Sequence, residues 1–313
     1  MIHYLAILWR ILILPGFLFL LIYGFLLEFV DRKLYARMQN RIGPPWYQPV
    51  ADILKLIGKK TIIPSDADEV MFRNMPIASL AAVSTAFLYV PVLGGNAAFS
   101  FSGDLIIVLY FLAIPTLAMF LAGWYSRGVF ATLGATRVLT QMFVYEVPLF
   151  IALLAPTLLA NSWSINEIAA YYAAHPLYAF INIPSMLVAL VAFQCKLERA
   201  PFDSPEAETE IVSGALVEYG GRLLAYFRVA ANAELVLILS VFAAIFLPFM
   251  SGVWWLDAIL YFVKTGLGLF LLTLMRATMA RLVISEIVRF CWKYLTPIAM
   301  AQIVLNFVLR GVL

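Results

Sequence analysis

The residues best placed to do chemistry are carboxylates in one polar stretch, Glu198 to Arg228, which reads ERAPFDSPEAETEIVSGALVEYGGRLLAYFR. Asp203, Glu206, Glu208, Glu210 and Glu218 crowd there, with Lys196 and Arg199 before them and Arg222 and Arg228 after them as the only cations. Carboxylates gathered in a partly desolvated site cannot all ionise easily, so their pKa values separate and a proton can be held near neutral pH. That is the chemistry of a proton relay. An acidic loop that docks a basic partner is the plainer reading, and spacing alone leaves both open. Ser204 followed by Pro205 has the form of a helix start, a capping hydroxyl and then proline at the first helical position. The expected helix runs to about Tyr219 and stops at Gly220-Gly221. It places Glu206 and Glu210 at i and i+4, on one face. Two more acids lie inside apolar runs: Glu146, in TQMFVYEVPLF, and Glu234. Charged groups at membrane depth usually face a bundle interior or a watery path.

The elements that must hold these groups are membrane helices. Of the 313 residues, 64% are hydrophobic and only 12% charged, against roughly half and a quarter in soluble domains. Continuous apolar runs of about 18 or more residues read as spanning helices, and barrel strands would alternate instead. The fold class is all-α and polytopic, a single membrane domain over 1–313. Eight spans are expected, near 11–30, 74–93, 104–123, 138–160, 180–197, 232–250, 256–275 and 294–311. The start MIHYLAILWR lacks a basic leader region, so the first run is expected to be a span rather than a cleaved signal. All but three of the 21 basic residues, namely Arg10, Lys264 and Arg310, fall after odd-numbered spans. The positive-inside rule puts those loops in the cytoplasm and both termini outside. The expected location is the plasma membrane.

The first cytoplasmic loop carries Arg32, Arg37 and Arg41 ahead of a Gly-Pro-Pro turn with Trp46 and Tyr47, a stiff cationic surface suited to docking a soluble partner. An amphipathic helix follows at about 48–60, with Val50, Ile53, Leu54 and Ile57 on one side. Residues 161–179 suggest an aromatic interfacial helix holding His175. Glu28, Asp31 and Arg32 at the end of span one read as groups snorkelling to water, and Lys264 has Asp257 as its available partner. The two cysteines, Cys195 and Cys291, are too few to ligate an iron–sulfur cluster, which takes about four thiolates. The two histidines, His3 and His175, form no pair at helical spacing. Any redox carriers belong on partners. No repeats suggest a stand-alone transporter, and nothing suggests nucleic-acid binding.

Several segments, in order, resemble one family. DRKLYARMQNRIGP, QPVADILKLIGKKTIIP, GATRVLTQMFVYEVPL, RAPFDSPEAETEIVSGALVEYGG and MRATMARLVISEIVRFCWKYLTP are similar to the motifs of the membrane subunit of respiratory complex I called subunit 1, or the H subunit. They are also similar to those of its counterpart in membrane-bound, ferredoxin-linked hydrogenases and their sulfur-reducing relatives. The respiratory form has a second Gly-Pro-type turn in its first loop, whereas here IGPPWYQP goes straight across, as in the hydrogenase and sulfur-reductase branch. The resemblance implies an eight-helix coupling subunit beneath a soluble electron-transfer arm. Arg199, Asp203, Glu206, Glu208, Glu210 and Glu218 would line a cavity and the start of a charged path. Glu146 would continue the path into the membrane, and Arg276, Arg281 and Lys293 would lie beside it; Glu234, at membrane depth, is counted with the path from its position. The implied partners are cluster-bearing and hydrogenase-large-subunit-like soluble subunits, which hold iron–sulfur clusters and in some members a NiFe-type site, and antiporter-like membrane subunits. In the respiratory branch the cavity takes a quinone.

Overall fold

The computed structural model of the protein describes residues 8–206, 208–247 and 249–312, and the side chains of residues 208, 209, 311 and 312 are not described. His3 and the carboxylate of Glu208 therefore lie outside the described residues. Every regular element among the described residues is helical. We number the main helices α1 (Phe17–Met38), α2 (Gln48–Gly58), α3 (Glu69–Phe87), α4 (Asp104–Tyr125), α5 (Val129–Ala160), α6 (Ile165–Ala174) and α7 (Pro176–Ile181). They continue with α8 (Ile183–Lys196), α9 (Gly221–Phe246), α10 (Trp254–Thr278), α11 (Ile284–Phe290) and α12 (Thr296–Val312). A π-helical stretch, Cys291–Leu295, joins α11 to α12.

Six helical stretches are long and apolar enough to cross a membrane: Leu8–Met38, α4, α5, α9, α10 and Ile284–Arg310. The other two expected spans also fall on helices, with altered bounds. The expected 74–93 run begins earlier, at Glu69, where Asp68 caps the helix by accepting from the Met71 amide at 3.0 Å, and it ends at Phe87, ahead of Pro91. The expected 180–197 run is broken at Asn182, because Pro184 in the first turn of α8 has no amide to continue α7. Its main helix has 14 residues, roughly 21 Å at 1.5 Å per residue, short of a hydrocarbon core of about 30 Å. The expected sixth span starts at Gly221 instead of 232, so Gly220-Gly221 opens a helix rather than ending one. The interfacial segment forms two helices, α6 and α7, parted at His175 before Pro176. The exposed His175 ring lies near the rings of Tyr171 and Tyr178, with centroids 5.0 and 5.6 Å away.

Two helices organise the bundle. One is α9, packed by α1, α2, α3 and α10, and apolar all round over Leu235 to Ile238, which have no exposed surface. The other is α5, packed by α4, α8 and α12. In lipid the apolar effect does little to join helices, so close backbone approach and buried polar bonds must do it. Gly134 of α5 lies so near Gly214 and Ala215 that an added Cβ would sit 2.3 Å from the Ala215 nitrogen. Asn306 of α12 donates to Asn182 at 2.8 Å and to the Ala155 carbonyl at 2.7 Å, and Gln302 donates to Asn306 at 2.9 Å. Bonds of this kind contribute roughly 0.5–2 kcal/mol each inside a bundle.

Candidate functional site: a charged cavity at one end of the bundle

Where α1, α8 and α10 finish and α9 begins, the helices part around a cavity of about 540 Å³. Among its described lining residues are six acids (Glu28, Asp31, Glu198, Asp203, Glu206, Glu234) and six bases (Arg32, Lys196, Arg199, Arg228, Arg276, Arg281). Twelve of the 23 lining residues are charged, whereas small-molecule pockets are mostly apolar.

The α1 wall comes from three residues at i, i+3 and i+4, which share a face. Asp31 accepts from Thr273 at 2.7 Å and pairs with Arg199 at 3.1 Å and Arg276 at 3.3 Å. Its side chain is 3% exposed. Arg276 also lies over the Tyr35 ring, 4.4 Å from its centroid. Glu28 is held by Arg32 and by Asn232, and Arg32 reaches on to Asp52 of α2 at 2.9 Å. Gly24 lets α1 approach, since a Cβ there would already touch the Asn232 carbonyl at 3.3 Å. These acids are not snorkelling to solvent. They are ion-paired wall residues, joined through Arg32 to the amphipathic helix.

The deepest pair is Lys196 with Glu234, Nζ to Oε1 at 2.8 Å, with side chains only 1% and 11% exposed. Lys196 also donates to Thr116 at 3.1 Å, and Thr116 shares a 3.0 Å hydrogen bond with the Tyr145 hydroxyl. The ammonium stands 5.7 Å from the Tyr145 ring centroid. Glu146, the next residue on α5, is half-buried and does not line the cavity. The sequence points to it as a continuation of the path, and its chain neighbour Tyr145 is the residue of α5 that meets Lys196 and Thr116.

After Lys196 the chain turns sharply. Glu198 has a left-handed backbone (φ 51°). The bend is braced by Gln141, which donates to the carbonyls of Cys195 and Phe202, both at 2.8 Å, and by Gln194, which donates to Ala200 at 2.7 Å. Glu198 faces the cavity. Among the described residues it takes part in none of the ion pairs, and its Oε2 has no hydrogen-bond partner. Burial pushes its carboxyl well above the usual range, the nearby Glu206 and Glu234 charges add to this, and Lys196 opposes it. Burial likewise lowers the Arg199 guanidinium, against the pull of Asp31.

The acidic stretch is not one continuous helix. Ser204–Glu206 is a 3₁₀ turn, Glu208–Ile211 a single helical turn and Gly214–Leu216 a second 3₁₀ turn. Val212 and Gly214 interrupt it with left-handed backbones (φ 62° and 54°). At Gly214 a Cβ would lie 1.9 Å from the Pro205 carbonyl oxygen, so the chain folds back on itself there. This overturns the expectation that Glu206 and Glu210 share a face. Glu206 lines the cavity, while Glu210 is exposed and pairs with Arg137 at 2.6 Å. Arg137 also donates to the Ser204 carbonyl at 3.3 Å. Asp203 pairs with Arg281 at 2.8 Å, and Arg281 donates to the Asp203 carbonyl at 2.9 Å. The stretch ends on Tyr219, stacked on Phe72 with centroids 3.9 Å apart.

Of the residues the sequence singled out, Arg32, Arg199, Asp203, Glu206, Glu234, Arg276 and Arg281 meet in the cavity. Glu210, Glu218, Arg37, Arg41 and Lys293 are exposed and lie outside it. The other five charged members, Glu28, Asp31, Lys196, Glu198 and Arg228, were not among the site residues the sequence singled out. The expected Lys264–Asp257 pair is absent among the described residues. Asp257 accepts instead from the Ser251 amide at 2.6 Å and hydroxyl at 2.8 Å.

The family model described as NADH dehydrogenase matches residues 10–307. The H subunit of NADH-quinone oxidoreductase from Bacillus cytotoxicus is 34% identical over 314 residues, covering 96% of this chain and 92% of that protein. The corresponding protein of Bacillus anthracis matches at the same identity and coverage. Among solved structures, a chain of the membrane-bound sulfane sulfur reductase, an archaeal respiratory membrane complex, superposes with a TM-score of 0.82. It is 28% identical, and the match covers 97% of this chain and 99% of that one. With this coverage, and with the charged motifs gathered around one cavity, the chain belongs to the NADH dehydrogenase family of membrane subunits, the family of complex I subunit 1.

Proposed function

We propose that this chain is the membrane-anchoring and coupling subunit of an ion-translocating redox complex. Electrons pass between clusters on soluble partners docked over the cavity, from ferredoxin to protons or polysulfide. The resulting change of charge at the cavity is handed through Glu234 and Glu146 to antiporter-like subunits that move H⁺ or Na⁺. The cavity faces the cytoplasm, and both termini face outside. The exposed Glu210, Glu218, Arg37 and Arg41, with Glu208, serve docking, and Lys293 belongs to the same rim.

The observation that carries this reading is the buried Lys196–Glu234 pair at the inner end of a mostly charged cavity. Charge of this kind at membrane depth is costly unless it has work to do. A quinone-chamber reading draws on the 34% identity to NADH-quinone oxidoreductase subunits and on a volume within the range of small-molecule sites.

Glu146→Gln and Glu234→Gln variants of the assembled complex test the coupling role. Each is expected to cut ion translocation at least tenfold while the complex still assembles. Wild-type translocation in both would refute it. Labelling of this chain by a photoreactive quinone, displaced by excess quinone, would move the assignment to the quinone reading.

A further inference from the structure

The cavity holds one ammonium and two carboxylates in an arrangement that leaves one carboxylate over. Lys196 is paired with Glu234, and Glu198, two residues along the chain, has no cation among the described residues. A lysine ammonium has three N–H donors. Thr116 accepts from one of them, and Glu234 Oε1 lies 2.8 Å from the nitrogen as the ion-pair partner. The ammonium makes no further side-chain hydrogen bond or ion pair among the described residues, and Lys196 and Glu198 line the same cavity. Lys196 is the last residue of α8, and its four-carbon stem can redirect the charge without moving the helix. The left-handed turn at Glu198 brings the second carboxylate back to the same cavity. Both carboxylates ionised beside one ammonium would leave a net buried negative charge, which is expensive.

We propose that Lys196 is a movable counter-ion that exchanges between Glu234 and Glu198, and that this exchange carries a proton between the two carboxyls. In the first state of the proposed exchange the ammonium sits on Glu234, as in this structure, and the proton is on Glu198. In the other state the ammonium holds ionised Glu198, and Glu234 carries the proton. Passing from the first to the second moves one proton from Glu198 to Glu234 through cavity water, while the ammonium moves the opposite way. The three groups sum to zero charge in both states, so neither leaves an uncompensated charge in the bundle.

The charges that bias the exchange come from every wall. They are Glu206 from the 3₁₀ turn, Glu28 and Asp31 from α1, Arg228 from α9, Arg276 from α10 and the Arg281–Asp203 pair at the rim. A docked partner that adds or removes charge near Glu206 would favour one state. The inference rests on the coupling role proposed above and names Lys196 as its positioning residue.

The test is redox-difference infrared spectroscopy on the complete complex, with ion translocation measured alongside. Turnover in the wild type should produce a protonated-carboxyl band that changes sign with redox state. Glu198→Gln should remove that band and lower translocation at least tenfold with assembly intact. Glu198→Asp should shift the band and restore translocation to within about threefold. Lys196→Gln should leave electron transfer running but uncoupled. If Glu198→Gln does not assemble, the Glu198→Asp spectrum decides, since a band unmoved by that change belongs to another group and overturns the exchange. Wild-type translocation and an unchanged band in Glu198→Gln overturn it as well. Loss of translocation in Glu146→Gln with none in Glu198→Gln would sink the exchange alone and leave the coupling role standing.

Discussion

Replacing Lys196 by methionine removes the cation opposite Glu234 and keeps most of the side-chain volume. With Nζ and Oε1 2.8 Å apart, the gross attraction is roughly 6 kcal/mol at an effective dielectric constant of about 20. Desolvation of both groups offsets much of that, so the pair as a whole is worth little. Breaking it is another matter, because Glu234 is left at 11% exposure with no counter-ion. Such breaks cost about 3–5 kcal/mol. At about 2 °C per kcal/mol for a chain of this size, the apparent melting temperature should fall by about 6–10 °C. The double variant Lys196→Met with Glu234→Leu removes both charges, and it should melt within about 2 °C of wild type or above it. Differential scanning fluorimetry of the purified complex in detergent, with the two single variants and the double, completes the cycle. If Lys196→Met melts with the wild type, or the double variant falls as far as the single, the pair is not the buried, mutually dependent unit described above.

Three other outcomes follow from particular residues. Burial and the Glu206 and Glu234 charges raise the Glu198 carboxyl. A raised carboxyl adds stability that is complete below its ordinary value near 4.3 and is lost as pH rises through the folded value. Glu198→Gln should therefore gain stability over wild type as pH rises, and a gap in melting temperature that does not change with pH would contradict this. Gly214→Ala puts a methyl 1.9 Å from the Pro205 carbonyl at a left-handed backbone. It should loosen residues 203–219 by about 2–4 kcal/mol, seen as faster protease cleavage there, and wild-type resistance would refute the fold-back. Glu210→Gln breaks only the partly exposed pair with Arg137. It should cost less than about 1 kcal/mol, so a melting shift of more than a few degrees would place Glu210 in the cavity after all.

Much of the architecture was legible because long apolar runs admit one structure in lipid. The polar stretch was legible as the site but not in its shape. Ser204-Pro205 does begin a turn, yet the left-handed Val212 and Gly214 end any helix before its second face forms. Val212 gives no warning, since a β-branched residue seldom takes that backbone. Lys196 is legible in the sequence only as a flanking cation, because it closes an apolar run and looks like one more basic residue marking the inner side. Its partner Glu234 lies 38 positions along the chain, across two bends. Glu28 and Asp31 did carry a signal. EFVDR places two acids and an arginine on one helical face, and two acids at a helix end call for more cation than one arginine supplies. The missing cations are Arg199 and Arg276, from distant parts of the chain.

That pattern explains why the site lies where the chain is most often interrupted. A charged wall inside a bundle needs counter-ions from several helices, and each must end or bend near the cavity to deliver one. Asp31 draws on the turn after α8 and the last turns of α10, and Glu234 draws on the final residue of α8. The left-handed turn at Glu198 and the fold-back at Gly214 are the backbone cost of bringing these groups together. If the charges served only to hold the helices, apolar replacements would do as well or better. The double replacement of Lys196 and Glu234 therefore separates the two roles. It is expected to keep the fold and abolish ion translocation, and a variant that melts like wild type and still translocates would leave the buried pair without a function.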